Sequence, residues 1–246
     1  MTVSDWVTGF HAVRAALESG SVSEVWLATE RRDGRGRELE VRCRALDVSV
    51  KRVARRDLDA LDAGAHQGVA ARVAEGRAPG DEGALEALLD SLSKPPLLLI
   101  VEGVTDPRNL GACMRSAEAS GAHAVVVPRS RSAPLTPAAR KVASGAAERL
   151  PLIMVANLAR TLRWLAQRGV MRVGLAGEGD ELLWSVDLRG GCALLLGAED
   201  SGLRRLTREH CDHLARLPMA GEAESLNVSV TAGIALFEAV RQRRGG

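Results

Sequence analysis

Small polar side chains alternate with apolar ones near the end of the chain, in the stretch SLNVSV (residues 225–230). Ser225, Asn227 and Ser229 carry hydroxyl and amide groups, which can hold a ligand or cap a helix. Since one residue is enough to cap a helix, three of them predict a second use. Ser229 needs only to hydrogen-bond within the first helical turn.

Four loops in the second part of the chain have a composition suited to ligand binding. They read GVTDPRNLG (103–111), GLAGEGD (174–180), GAEDSGL (197–203) and PMAGEAESLN (218–227). Each follows an apolar run, and open parallel sheets bind ligands beyond the carboxyl ends of their strands. Glycine in such loops allows the backbone to approach a ligand closely. Neither GxGxxG nor GxxxxGK[ST] occurs in them, so a dinucleotide fold or a P-loop is not predicted.

Strands and helices alternate throughout this part of the chain, which predicts a parallel sheet covered on both faces. The strands are expected at 97–102, 124–128, 150–155, 170–176, 192–197 and 213–218. The helices are expected at 110–120, 137–145, 158–167, near 203–209 and at the end of the chain.

The first part of the chain alternates over shorter elements and predicts a small α/β domain. Residues 75–96 concentrate Pro, Gly and acidic residues and end in Pro95-Pro96, which is typical of a boundary. We therefore expect a first domain at 1–76, a linker at 77–94 that includes a short helix, and a second domain at 95–246.

The composition narrows the class of protein. The chain has 246 residues, of which 46% are hydrophobic, so each part can bury a core. No apolar run approaches the roughly 18 residues of a membrane span, and no signal peptide is expected. The cysteines are far apart without a CxxC pair, so we expect a reducing cytoplasmic location and no disulfide or metal site. They are Cys43, Cys113, Cys192 and Cys211.

Three segments together resemble a known family. In order they are DPRNLGACMRSAEASGAHAVVVP (106–128), LLLGAEDSGL (194–203) and LPMAGEAESLNVSV (217–230). They are similar to the three motifs of the SpoU/TrmH class of SPOUT RNA 2′-O-ribose methyltransferases. GFHAVRAAL, HQGVAARV and KVASGAAERLPLIMVANLARTL extend the similarity over nearly the whole chain. They resemble the RlmB-type subgroup, which methylates a guanosine ribose in the peptidyl-transferase region of large-subunit (23S) ribosomal RNA.

The resemblance implies a fold and partners that the periodicity does not reveal. The fold is α/β: a parallel-sheet SPOUT methyltransferase domain with a carboxyl-terminal trefoil knot, preceded by a small L30e-like RNA-binding domain. The implied cofactor is S-adenosyl-L-methionine. The implied partners are the ribosomal RNA, free or in a pre-ribosomal particle, and a second copy of the chain, because family homodimers build the active site at their interface.

The family also implies a catalytic set. Arg115 matches the arginine of the family's first motif, which acts on the ribose hydroxyl of the substrate. Since a guanidinium is effectively always protonated, we expect it to stabilise a developing alkoxide or to grip a neighbouring phosphate. Asn109, a possible helix cap, and Glu199, which orients Arg115 or a nearby backbone, are implied at the same site. Ser225 and Asn227 complete the set.

The family positions for the cofactor are filled by small and apolar residues, which would act through their backbone groups. They are Leu175, Ala176, Gly177, Gly197, Leu217, Met219 and Leu226. Asp200 and Ser201 replace the glycine-rich spacing of many relatives but leave Glu199 and Gly202 in place.

Arginine-rich segments supply candidate contacts to RNA phosphates. In the first part these are Arg31, Arg32, Arg35, Arg37, Arg52, Arg55, Arg56 and Arg72, and in the second Arg129, Arg131, Arg140 and Lys141. The net charge of only +2 does not by itself indicate a nucleic-acid partner.

Three other functions remain open at this point. The first is methylation of transfer RNA, although related transfer-RNA enzymes usually lack the L30e-like domain. The second is a catalytically silent RNA-binding factor in ribosome assembly, which the intact motif residues argue against. The third is an oxidoreductase of the Rossmann type, which the missing GxGxxG argues against.

Overall fold

A computed structural model describes residues 6–18, 22–31, 33–62, 66–73, 79–198, 200–222 and 225–245. The chain divides into two compact units. The first unit comprises Met1–Ala78 and Leu135–Arg149, and the second comprises Pro79–Pro134 and Leu150–Gly246. The units thus group residues 135–149 with the amino-terminal part, whereas the boundaries expected at 76 and 95 stay a prediction.

The alternation of helices and strands expected from the sequence is present. In chain order the elements are β1 (Trp6–Thr8), α1 (Phe10–Glu18), β2 (Val22–Ala28), α2 (Gly34–Ala45), β3 (Ser49–Val53), α3 (Arg55–Asp59), β4 (Val69–Val73), α4 (Glu82–Ser91), β5 (Leu97–Val101), α5 (Pro107–Ala119), β6 (Ala124–Pro128), α6 (Pro137–Ala143), α7 (Ala146–Arg149), β7 (Leu152–Val155), α8 (Leu158–Gln167), β8 (Met171–Leu175), β9 (Glu181–Leu182), β10 (Cys192–Leu196), α9 (Arg205–Arg208), β11 (His213–Arg216) and α10 (Val228–Arg244).

The first unit contains a mixed sheet with the strand order β1-β4-β2-β3. Strand β4 runs antiparallel to β1 and β2, whereas β2 and β3 are parallel. Because side chains alternate along a strand, Leu27 and Trp26 point to opposite faces. Leu27 packs with the apolar residues of α1 and α2, and Trp26 packs with Leu58 and with Trp6, whose ring centroid is 4.4 Å away. The expected small α/β domain is confirmed.

The second unit contains a parallel sheet with the order β7-β6-β5-β10-β8-β11-β9. Every residue of β5 and β10 is buried, as expected for strands covered on both faces. Apolar residues of α4 and α8 join one core cluster with the sheet, and α5 and α10 pack against each other. The expected parallel sheet is therefore confirmed, and none of the described helices combines the length and apolar character that crossing a membrane requires.

The strand order brings distant loops together. Strand β10 pairs with β5 on one side and with β8 on the other, and β8 pairs with β11. All these pairs are parallel, so the carboxyl ends of β8, β10 and β11 lie side by side. The loops that begin at residues 176, 197 and 217 consequently share one edge of the sheet.

Some arginines expected at an RNA surface already have acidic partners in the first unit. Arg31 lies 3.0 Å from Asp33, and Arg52 lies 2.5 Å from Glu40. Arg32 lies outside the described residues.

One ion pair of the first unit is buried. The Nη1 atom of Arg140 lies 3.0 Å from Oε1 of Glu148, and the two side chains are 12% and 1% exposed. Arg140 therefore forms a structural ion pair inside the unit. It does not lie on an exposed surface, where the sequence analysis expected it to contact RNA.

We predict that Arg140→Ala lowers the free energy of unfolding by about 3–5 kcal/mol, because it leaves a buried carboxylate without its partner. The double variant Arg140→Met/Glu148→Leu removes both charges and should lose much less. Urea denaturation followed by circular dichroism measures both. Equal losses in the two variants would show that the ion pair does not set the cost.

Candidate active site

A cavity opens beyond the carboxyl ends of β8, β10 and β11. Its walls come from loops that are far apart in the sequence, as the parallel sheet predicts. All the residues that the resemblance assigned to the cofactor line it, together with Ser225. They are Leu175, Ala176, Gly177, Gly197, Leu217, Met219 and Leu226. Their common location is a finding, and their assigned role stays a prediction.

The loop after β10 folds back tightly on itself. Ala198 and Gly202 exchange backbone hydrogen bonds of 3.2 and 2.8 Å. A Cβ atom at Gly197 would lie 1.9 Å from the carbonyl carbon of Gly202, so only glycine fits at this position. At Gly177, by contrast, a Cβ atom would meet no atom within 4 Å, because that residue faces open space. One glycine thus closes the loop and the other leaves room in the cavity.

A buried carboxylate that the sequence analysis missed anchors this loop. Glu102 directly follows β5 and is only 5% exposed. Its Oε2 accepts the backbone N–H of Arg204 at 3.3 Å, and its Oε1 lies 3.6 Å from Nε of the same arginine. Glu102 therefore ties the end of the 197–203 loop to the neighbouring strand β5. Its only trace in the sequence is an acid at the end of the apolar run LLLIVE.

The first and third motifs meet through two asparagines. The Nδ2 atom of Asn227 donates to Oδ1 of Asn109 at 3.1 Å. Asn227 also caps α10, because its Oδ1 accepts the backbone N–H of Ser229 at 2.9 Å and its hydroxyl at 2.6 Å. The expected local role of Ser229 is therefore confirmed. Since Leu226 and Val228 line the cavity, this contact lies beside it.

The alternative role of Asn109 as a helix cap is wrong. Helix α5 begins at Pro107, and its cap is Asp106, whose carboxylate accepts the backbone N–H of Arg108 at 2.8 Å. Proline at the first helical position fixes the start of the helix one turn before Leu110, where the apolar pattern begins. The side chain of Asn109 therefore does not cap the helix, and its Oδ1 accepts a hydrogen bond from Asn227.

Arg115 is not brought to the cavity of its own chain. It is exposed on α5, and among the described residues its side chain makes no hydrogen bond or ion pair and does not line the cavity. Glu199 lies outside the described residues. The catalytic set expected from the resemblance is thus assembled only in part, by Asn109, Asn227 and Ser225.

Glu178 is a further cavity residue that the sequence analysis did not single out. It forms an ion pair with Arg208, and its own backbone N–H and then this guanidinium lower the pKa of its carboxyl group. The carboxylate is consequently charged at neutral pH and can accept hydrogen bonds from ligand hydroxyls. A glycine on each side of it, in GEG (177–179), is the sequence feature that could have indicated it.

Among the described residues, the cavity combines apolar walls, exposed backbone and the carboxylate of Glu178. Leu196, Leu203 and Val228 form apolar walls, while Thr231 and Ser225 supply hydroxyls. These surfaces suit a planar apolar base that carries a sugar with hydroxyl groups. Among the described residues, no group of three His, Cys, Asp or Glu side chains is placed to hold a metal ion.

Comparisons with known proteins agree with this architecture. A sequence model described as the SpoU rRNA Methylase family matches residues 96–237, and one described as RNA 2'-O ribose methyltransferase substrate binding matches residues 6–79. The chain is 52% identical over 245 residues to the 23S rRNA (guanosine-2'-O-)-methyltransferase RlmB of Pseudomonas syringae pv. tomato, with 99% of this chain and 98% of the relative covered. It is equally 52% identical to the RlmB of Yersinia pestis, with 98% of both chains covered.

A solved structure extends the agreement to the fold. The SpoU methyltransferase AviRb from Streptomyces viridochromogenes, in complex with the cofactor AdoMet, aligns with a TM-score of 0.80 at 29% identity. The alignment covers 98% of this chain and 91% of AviRb. The fold class expected from the resemblance is confirmed, whereas the knot stays a prediction. On these grounds the chain belongs to the SpoU family of rRNA methylases.

Proposed function

We propose that this protein transfers the methyl group of S-adenosylmethionine (AdoMet) to the 2′-hydroxyl of a guanosine in 23S ribosomal RNA, in its peptidyl-transferase region. The observation that carries the proposal is the cavity at which loops from three strands converge. The relatives, aligned over nearly their whole length, are named for this reaction. The same relatives favour a cytoplasmic enzyme over a silent assembly factor. The names of these relatives favour ribosomal over transfer RNA as the substrate.

The cavity residues fit AdoMet by their chemistry. The cofactor, when bound, supplies a methyl group already activated on a sulfonium, so the protein mainly has to align the reactants. Backbone groups at Leu217 and Leu226 hold the edges of adenine, and the apolar walls cover its faces. Glu178, which is charged, accepts hydrogen bonds from ribose hydroxyls. The open space at Gly177 leaves room for the ligand.

The polar residues beside the cavity position the ribose of the RNA substrate. The hydrogen bond between Asn109 and Asn227 fixes the start of α10 and, with it, Ser225 at the cavity wall. Arg115 stabilises the negative charge that develops on the 2′-oxygen as the hydroxyl releases its proton to solvent water, or grips the adjacent phosphate.

A homodimer accounts for the absence of Arg115 from the described lining of its own chain's cavity. Helix α10 exposes Val230 and Phe237 at 48% and 49%, with the partly buried Ile234 between them. Spacings of three and four residues place all three on one face of the helix. Large exposed apolar side chains in a row are typical of a protein interface. A second copy that covers this stripe would supply Arg115 of the partner subunit to the cavity.

The reaction is tested with labelled AdoMet and unmethylated RNA. Label is expected at one guanosine of 23S ribosomal RNA and not in transfer RNA.

Arg115→Ala should lower the turnover rate by about 10²–10³-fold, as for the loss of one donor to a developing oxyanion, while AdoMet still binds. Arg108→Ala, which removes another exposed arginine of α5, is the matched control and should keep full activity. Label in transfer RNA instead would overturn the substrate, and absence of both label and AdoMet binding would favour the assembly factor.

The cavity is tested by filling it. Gly177→Val should weaken AdoMet binding by about tenfold or more, which corresponds to about 1.4 kcal/mol. The fold should be kept, because a Cβ atom at residue 177 meets no protein atom within 4 Å. Gly190→Val, at a second glycine with open space around it, is the control. Isothermal titration calorimetry with AdoMet measures both, and equal affinities would place the cofactor elsewhere.

The shared active site is tested by mixing two impaired variants at an AdoMet concentration too low to fill the Gly177→Val cavity. Arg115→Ala keeps an intact cavity, and Gly177→Val keeps an intact arginine. If the arginine acts across the interface, a mixed dimer contains one complete site and regains methylation activity. If each chain uses its own Arg115, mixing restores nothing. Sedimentation of Phe237→Glu, which should shift towards the monomer, checks the interface independently.

A further inference from the structure

A second cavity lies at the opposite end of the sheet of the second unit, where the strands begin. Its lining residues precede three strands: Lys94 precedes β5, His123 precedes β6 and Arg189 precedes β10. Arg243 and Arg244, at the end of α10, close it on one side. The cavity has a volume of about 840 Å³ and opens to solvent through the exposed Lys94 and Arg244.

The charge around this cavity has one sign. Its lining includes five basic side chains, and no carboxylate occurs among the described residues that line it. Arg189 has an acidic partner, Asp187, at 2.7 Å. Lys94, Arg243 and Arg244 make no ion pair within the part of the chain that the structure describes. The cavity therefore keeps an uncompensated positive charge.

Arg243 makes part of this charge rigid. Among the described residues, its guanidinium donates to neutral groups, namely four backbone carbonyls and the Cys192 sulfur. The acceptors are the carbonyl oxygens of Leu188 at 3.0 Å, Pro95 at 3.2 Å, Pro96 at 3.0 Å and Gly190 at 2.5 Å. These bonds fix the position of the charge without neutralising it, so that it is preorganised for an anion.

His123 adds a neutral donor beside the charges. Its Nδ1 atom accepts the backbone N–H of Leu97 at 3.0 Å, so the proton of the neutral ring is on Nε2. Burial lowers the pKa of His123, and the charges of Arg243 and Lys94 lower it further. The ring thus offers one N–H group in the cavity that Arg243 and the exposed Lys94 and Arg244 also line.

We propose that this cavity binds a backbone phosphate of the RNA substrate, at a point remote from the methylated nucleotide. A fixed guanidinium, an imidazole N–H and exposed cations, with no carboxylate among the described lining residues, match the charge and the several acceptor oxygens of a phosphate. The inference rests on the proposed function, because it takes RNA as the substrate. It adds a second anchor that neither the motifs nor the family matches assign.

The distance between the two cavities defines the kind of RNA that can use both. Strand β10 runs between them and has five residues, which span about 17 Å at roughly 3.3 Å per residue. One nucleotide cannot cover that distance. The second anchor therefore favours an extended or folded RNA segment over an isolated nucleotide.

The test compares the full chain with the double variant Lys94→Ala/Arg244→Ala in binding to unmethylated 23S ribosomal RNA over a range of salt concentrations. Each lost phosphate contact should reduce the slope of log affinity against log salt by about 1. The KM for RNA should rise, while kcat and AdoMet affinity stay unchanged. Arg160→Ala/Arg163→Ala, which removes the same charge from the exposed face of α8, is the matched control and should keep the slope of the unchanged protein.

The outcomes separate this inference from the proposed function. If the unchanged protein methylates the RNA and the Lys94/Arg244 variant keeps its affinity and slope, the phosphate site is overturned and the proposed function stands. An equal loss of slope in the α8 control would also overturn it, because the effect would then come from net charge alone. If the unchanged protein neither binds nor methylates RNA, both proposals fall.

Discussion

The pairing of β10 between β5 and β8 is the constraint on which the second unit depends. Both faces of β10 are buried, so its backbone groups can be satisfied only by the two neighbouring strands. Strand β10 lies at the centre of the sheet, between β5 and β8, although β6, β7 and β8 precede it in the sequence. This insertion places the ends of β8, β10 and β11 next to one another, and the cavity exists because the loops that leave them cannot diverge.

A few polar contacts then hold those loops in place. Glu102 secures the loop after β10 from the neighbouring strand β5, and Asn109 secures the segment before α10 from the start of α5. A carboxylate buried as deeply as Glu102 is costly unless it is paired and hydrogen-bonded, and Arg204 provides for both. Because these contacts outside the cavity hold its loops in place, the cavity wall can consist of backbone and small residues.

Charge serves opposite purposes in different parts of the chain. Arg140 and Glu148 neutralise each other inside the first unit, where neither is available to a ligand. Arg243, by contrast, is held by neutral carbonyls. Its charge is therefore not neutralised by these contacts, and it lies where the strands of the second unit's sheet begin. The net charge of +2 conceals this difference, because it counts a buried pair and an uncompensated cation alike. The arrangement of partners, and not the number of arginines, decides which surface attracts phosphate.

The sequence by itself determined the alternation of helices and strands, the parallel sheet and the loops that carry the site, because these follow from local periodicity and glycine placement. It did not indicate β1 or β9, since strands of three and two residues are too short to show a period. It also could not reveal that Glu102 anchors a loop, that Asn109 bonds to Asn227 or that Arg140 is buried. Only the tertiary structure decided these points, because each depends on a partner about 8 to 118 positions away in the sequence, and chain topology alone sets which side chains meet.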